Sequence, residues 1–212
     1  MKEYIQGYIF IPITHSRTSA NIIRTIVQCM EVTRTIHSVY IWREENEDWM
    51  DVPLSELCHI GRGGIHMYID GLDCSWQFAP NAAGYHTIHI SIYNQFNMCS
   101  TFETAFAMFI TRWIAFCEEV QAELGYFRQP ATGQGGQDEE MLAALQQRDL
   151  STMLARISPY WKLYLAPALV THETEQLLTR ASNQCLEAVV TNTLPSGALF
   201  VRTVTQAVGA GV

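Results

Sequence analysis

The stretch Thr87-Ile88-His89-Ile90-Ser91-Ile92-Tyr93 alternates without a break. Ile88, Ile90 and Ile92 fall on one side of an extended chain; Thr87, His89, Ser91 and Tyr93 fall on the other. Successive side chains of a strand point to opposite faces, so the pattern predicts an antiparallel strand with one face buried. Soon after, Ser100-Thr101-Phe102-Glu103 has the form of a capping box, in which each polar side chain satisfies a backbone donor at a helix start. Phe102, Phe106, Phe109, Trp113, Phe116 and Val120 then recur at helical spacing, with Gly125 placed to end the helix. Such a stripe predicts a helix lying on the face of a sheet; an aromatic ligand box is the alternative.

The residues upstream extend this picture. Tyr4 to Ile13 reads as a first strand. Ser19 is placed to cap a helix carrying Ile22, Ile23, Ile26, Val27 and Met30. Val39 to Trp42 reads as a short strand running into an acidic loop around Trp49. Leu54 to Ile60 forms a short helix opened by Pro53, and Gly61-Arg62-Gly63-Gly64 reads as a turn. Ile65 to Asp70 and Cys74 to Phe78 read as strands on either side of Gly71. The order of strand, helix, strand, further strands and long helix predicts an α+β fold. Its antiparallel-rich sheet carries helices on one face, close to a split βαβ arrangement.

The sequence divides as an α+β sheet domain over 1–128, a flexible loop over 129–137 and a mainly helical segment over 138–212 that packs on the first part. Gln129 to Gln137 is rich in Gly and Gln, which sets the loop apart. Beyond it, helices are expected over Glu139–Gln147, from a Ser151 cap to Ile157, and from a Thr171 cap to Ala181. Leu186–Thr193 and Ala198–Val204 close the chain as a β-hairpin through Leu194-Pro195-Ser196-Gly197.

Charged residues are 16% of the 212, against roughly 25% in ordinary domains. A low-charge surface favours burial against a partner, a second copy of the chain included. The net charge is −8 and the 13 Lys and Arg are scattered, a balance that repels a phosphate backbone and excludes nucleic acid as the expected ligand. The six cysteines, Cys29, Cys58, Cys74, Cys99, Cys117 and Cys185, form no CxxC or zinc spacing and read as reduced thiols of a cytoplasmic protein. The N-terminal apolar stretch is interrupted by Gln6, Gly7 and Pro12, unlike a signal peptide, and no apolar run is long enough to span a membrane.

Four constellations bear on chemistry. His86 and His89 stand three apart, which on a strand means opposite faces. His66 and His89 on neighbouring strands, with Asp70 or Asp73, would be the ligand set of a metal-assisted enzyme; surface histidines are the simpler reading. Gly61 to Gly64 resembles an anion-holding loop but feeds a strand, whereas phosphate loops feed a helix. Cys58 and His59 are adjacent in sequence, which is not catalytic geometry. No GxSxG or HExxH occurs, so no catalytic residue, metal or cofactor is assigned. The partner-like feature is the acidic, aromatic stretch of Trp42, Glu44, Glu45, Glu47, Asp48, Trp49 and Asp51. There tryptophan would anchor and carboxylates would steer a basic protein surface; a solvated loop is the plain alternative.

Trp161-Lys162-Leu163-Tyr164-Leu165 is similar to a W-x-x-Y-L stretch, and Leu194-Pro195-Ser196-Gly197-Ala198-Leu199 to a terminal hairpin, of the immunity proteins that protect bacteria from their own polymorphic toxins. The sequence resembles most the immunity protein 52 type, in which a strand and a long amphipathic helix come in comparable order. Gln129–Gln137 and His59–Gly64 lie outside that pattern. The resemblance implies a cytosolic, non-catalytic inhibitor that binds a cognate toxin tightly. A structural or assembly subunit and the His66/His89 enzyme are the alternatives.

Overall fold

The computed structural model describes residues 4–14, 17–30, 34–43, 48–60, 62–82, 84–93, 100–128, 137–157, 162–184 and 187–205. Two compact units divide the chain, Met1–Gly125 and Tyr126–Val212. The secondary structure is α+β throughout.

In the first unit, β1 (Tyr4–Pro12), α1 (Ser19–Cys29), β2 (Arg34–Arg43), β3 (Asp48–Asp51), α2 (Leu54–Ile60), β4 (Gly63–Ile69), β5 (Leu72–Ala82), β6 (Tyr85–Tyr93) and α3 (Ser100–Glu119) follow in order. The strands lie in the order β3-β2-β4-β5-β6-β1, with each neighbouring pair antiparallel. Stepping across β4, β5 and β6 reverses direction an even number of times, so β1 and β2 run parallel. They form a β-α-β unit through α1, split by a three-strand meander.

One face of this sheet is apolar in register. Ile5, Ile92, Cys74 and Met67 form one cross-strand row, and Gly7, Ile90, Trp76 and Ile65 form the next. The rings of Phe109 and Phe116 on α3 meet Trp76 at centroid distances of 6.1 and 5.6 Å. Every residue of the expected stripe from Phe102 to Val120 is buried, which makes it core. Trp113 is wholly buried, and truncating a core tryptophan costs about 3–5 kcal/mol.

Local signals account for most element ends. Thr18, not Ser19, caps α1: its hydroxyl accepts from the Asn21 N–H at 3.3 Å, while Ser19 is already helical. Ser100's half of the expected capping box lies outside the described side chains. Gly125 does not end α3. The helix stops at Glu119, Gln121 turns the chain at φ 51°, and Gly125 lies in the next strand, where a Cβ would stand 2.7 Å from Trp113 Cζ2. The glycine makes room for the indole. Asp70 and Gly71 both take positive φ and turn β4 tightly into β5. Gly63 and Gly64 are not a turn either; they open β4.

The second unit takes in β7 (Leu124–Arg128, begun at the end of the first), α4 (Gln137–Gln147), α5 (Leu150–Ile157), β8 (Lys162–Leu165), α6 (His172–Gln184), β9 (Glu187–Thr193) and β10 (Leu199–Thr205). The strand order is β7-β8-β10-β9, and β10 pairs antiparallel with both β8 and β9. The closing hairpin forms as expected, with Gly197 at φ 87° donating to the Leu194 carbonyl at 2.9 Å. Thr171 caps α6 through the Thr174 N–H at 3.2 Å, as read. Asp149 replaces Ser151 as the cap of α5; its Oδ1 accepts from the Thr152 N–H at 3.1 Å and the Ser151 hydroxyl at 2.8 Å. Gln137 is helical, and 129–136 and Trp161 lie outside the described residues.

Candidate partner-binding site

The site begins with a missing side chain. Gly64 on β4 lies between Tyr40 on β2 and Gln77 on β5. With no Cβ there, the Tyr40 ring crosses β4, and its Oη meets Ser75 Oγ at 2.8 Å. An added Cβ would collide with the Tyr40 hydroxyl and the Trp76 carbonyl. Tyr40 is thereby fixed, and Trp49 rests edge-on against it, with centroids 5.0 Å apart and planes at 88°.

Trp49 belongs to β3, the last of the described strands at that end of the sheet. The expected acidic loop is therefore strand from Asp48 onward, because β3 pairs in register with β2: Asp51 opposite Tyr40, Trp49 opposite Trp42. All four residues of β3 are exposed. Trp49 is 48% and Met50 38% accessible, two of the few large apolar side chains so exposed among the described residues. Asp48 and Asp51 bracket them. Of the stretch singled out in the sequence, Asp48, Trp49 and Asp51 thus sit together. Trp42 belongs to β2 with its side chain outside the described ones, and Glu44, Glu45 and Glu47 lie outside the described residues. Tyr40, Ser75 and Met50 were not singled out as site residues, and Gly64 was read only as part of a turn. The alternation of Val39 and Ile41 with Tyr40 and Trp42 carried a partial signal for Tyr40; nothing local marked Gly64 as its seat.

The histidines are placed differently from the metal reading. His66 and His89 share the Tyr40 face, but β5 lies between their strands, so they are not neighbours across a ladder. His66 Nε2 lies 2.5 Å from Asp73 Oδ1, and its ring is 5.6 Å from that of His37. His89 stacks on Tyr8 at 4.8 Å and faces Gln77 Oε1 at 3.4 Å. His86 is on the opposite face and donates from Nε2 to the Arg17 carbonyl at 2.7 Å. Asp70 is no ligand: Arg112 grips it through Nε at 2.9 Å and Nη2 at 3.3 Å. Among the described residues no three His, Cys, Asp or Glu side chains gather as a metal group.

The described cysteines are free thiols. Burial pushes Cys74 and Cys117 far above the ordinary thiol range and raises Cys29 too, with Glu119 adding to the last. Such groups stay protonated and make poor nucleophiles. Cys58 is half-buried on α2, beside exposed His59. Gly61 of the expected anion loop lies outside the described residues, and Gly63 and Gly64 belong to a strand, with no helix N-terminus to hold an anion.

No helix among the described residues is long and apolar enough to cross a membrane. No family model matches the chain, and no curated protein or solved structure matches it.

Proposed function

We propose that this chain is a non-catalytic protein-binding module acting in the cytoplasm, an immunity protein that neutralises the basic domain of a bacterial toxin. The observation that carries the reading is Trp49: a large, exposed indole on the last described strand of the sheet, resting edge-on against Tyr40 and bracketed by carboxylates. Rigid tryptophans concentrate binding energy at interfaces because little conformational freedom is lost on docking. Asp48 and Asp51, with the net charge of −8, supply the field that draws a cationic surface.

The test is co-expression with a basic toxin domain encoded by a neighbouring gene. Growth should be rescued and the two chains should co-purify. Trp49→Ala should weaken the complex about 30-fold or more, the range of an interface hot spot. Asp48→Lys with Asp51→Lys should slow association most at low salt. Rescue and affinity unchanged in both variants would overturn the reading.

A further inference from the structure

The mode of engagement can be read from the ladder, and it rests on the protein-binding reading just given. The Val52 N–H donates to the Val39 carbonyl at 2.8 Å, bracketing the Tyr40–Asp51 pair. In an antiparallel ladder that bond makes Tyr40–Asp51 a pair whose own amides point away from each other. Alternation makes Trp42–Trp49 the same kind. The backbone N–H and C=O of Trp49 and Asp51 therefore point away from β2, to the side where no described strand lies.

Exposed edges are ordinarily blunted with lysine, proline or a bulge, or by brevity. Asp48-Trp49-Met50-Asp51 is short and guarded by two carboxylates, which disfavour anionic and neutral strands alike but not a cationic one. The Trp49 N–H donates to the neighbouring Asp48 carboxylate, Oδ1 at 2.7 Å. That carboxylate covers the edge with a side chain that a cation can draw aside. We propose that the partner inserts an extended cationic segment that adds to β3 as a further strand.

The side chains specify the segment. Trp49 and Asp51 lie on one face, Met50 and Asp48 on the other, so each face offers one apolar side chain and one carboxylate. The complement is cation-apolar-apolar-cation. Because β3 reads the same both ways in these classes, the segment can enter in either direction.

The probe is a capped hexapeptide, threonine-lysine-valine-valine-lysine-threonine, titrated into the ¹⁵N-labelled full chain. Saturable shifts should centre on β3, and amide exchange at Asp51 should slow. The glutamate counterpart should leave β3 unmoved. Methylating the valine nitrogens keeps charge and apolar contact but removes the ladder donor that faces β3, and should weaken binding about tenfold. Asp51→Pro removes an outward donor together with the carboxylate, so it is read against Asp51→Asn, which loses the charge alone; the proline variant should bind more weakly than the asparagine one. The methylated peptide binding as well as the parent would overturn strand addition while leaving Trp49 as an anchor. Shifts away from β3, or none, would overturn the inference. Loss of toxin binding in Trp49→Ala is scored separately, so the two ideas fail independently.

Discussion

Tyr40 reaches Ser75, two strands away, across the bare backbone of Gly64. The arrangement couples a backbone position to an exposed side chain, since Trp49 leans on the same tyrosine. Gly64→Ala should destabilise the first unit by about 2 kcal/mol, because the added methyl meets carbonyl oxygen as well as a movable ring. Near-ultraviolet circular dichroism should show Trp49 loosened. Tyr40→Phe, which loses only the hydroxyl bond, should cost about 1 kcal/mol in urea unfolding.

Arg112 and Asp70 form an ion pair with the carboxylate side chain only 3% accessible. Removing the cation takes the guanidinium from a buried carboxylate at the turn between β4 and β5. Arg112→Ala should cost about 3 kcal/mol. Arg112→Met with Asp70→Asn should recover most of that in chemical denaturation, since the buried carboxylate is then gone as well and Asn tolerates the positive φ at this site.

Asp149 is held below the ordinary carboxylate range, first by the Thr152 hydroxyl, then by the Thr152 N–H and by Ser151. A depressed folded value means that its contribution is complete above the unfolded pKa, about 4, and disappears as pH falls through the folded value. Asp149→Ala should therefore melt below the parent at pH 7, with the gap closing on acidification. Asp149→Asn, still able to cap, should lie between. Thermal melts from pH 7 to pH 2 check the order.

Cys74 and Cys117 are wholly buried. Iodoacetamide should leave both unmodified in the native chain and label them only on unfolding, as mass spectrometry of quenched samples would show. Labelling of Cys117 in the folded protein would contradict the packing of α3.

Much of the fold was legible because strong periodicity met strong burial. β6 alternates and α3 carries one aromatic stripe, and both gave a single answer. The closing hairpin was written in Leu194 to Gly197. What escaped was set by neighbours. Asp48 to Asp51 has no strand pattern of its own and is extended because β2 lies beside it. Gly63 and Gly64 look like a turn, yet they are strand because Tyr40 needs the space that they leave. Gly125 looked like a helix stop for a similar reason: the demand came from Trp113, distant in sequence. At the site, the carboxylates and Trp49 were visible as composition, while the tyrosine against the indole and the carboxylate covering the strand edge are matters of register.

The parallel pair β1 and β2, parted by a meander, bears on how the molecule comes into being. Tyr4 finds its ladder partner in Tyr93, so the opening strand has nowhere to lie until β6 has been synthesised. The β4-β5-β6 meander, in which each strand pairs with the next in sequence, can close early and locally. The two flanking strands then dock at opposite margins, a nonlocal step that is slow for entropic reasons. During translation Ile5, Ile9, Phe10 and Ile11 of β1 stay uncovered until β6 is made, and apolar surface left open in this way favours aggregation.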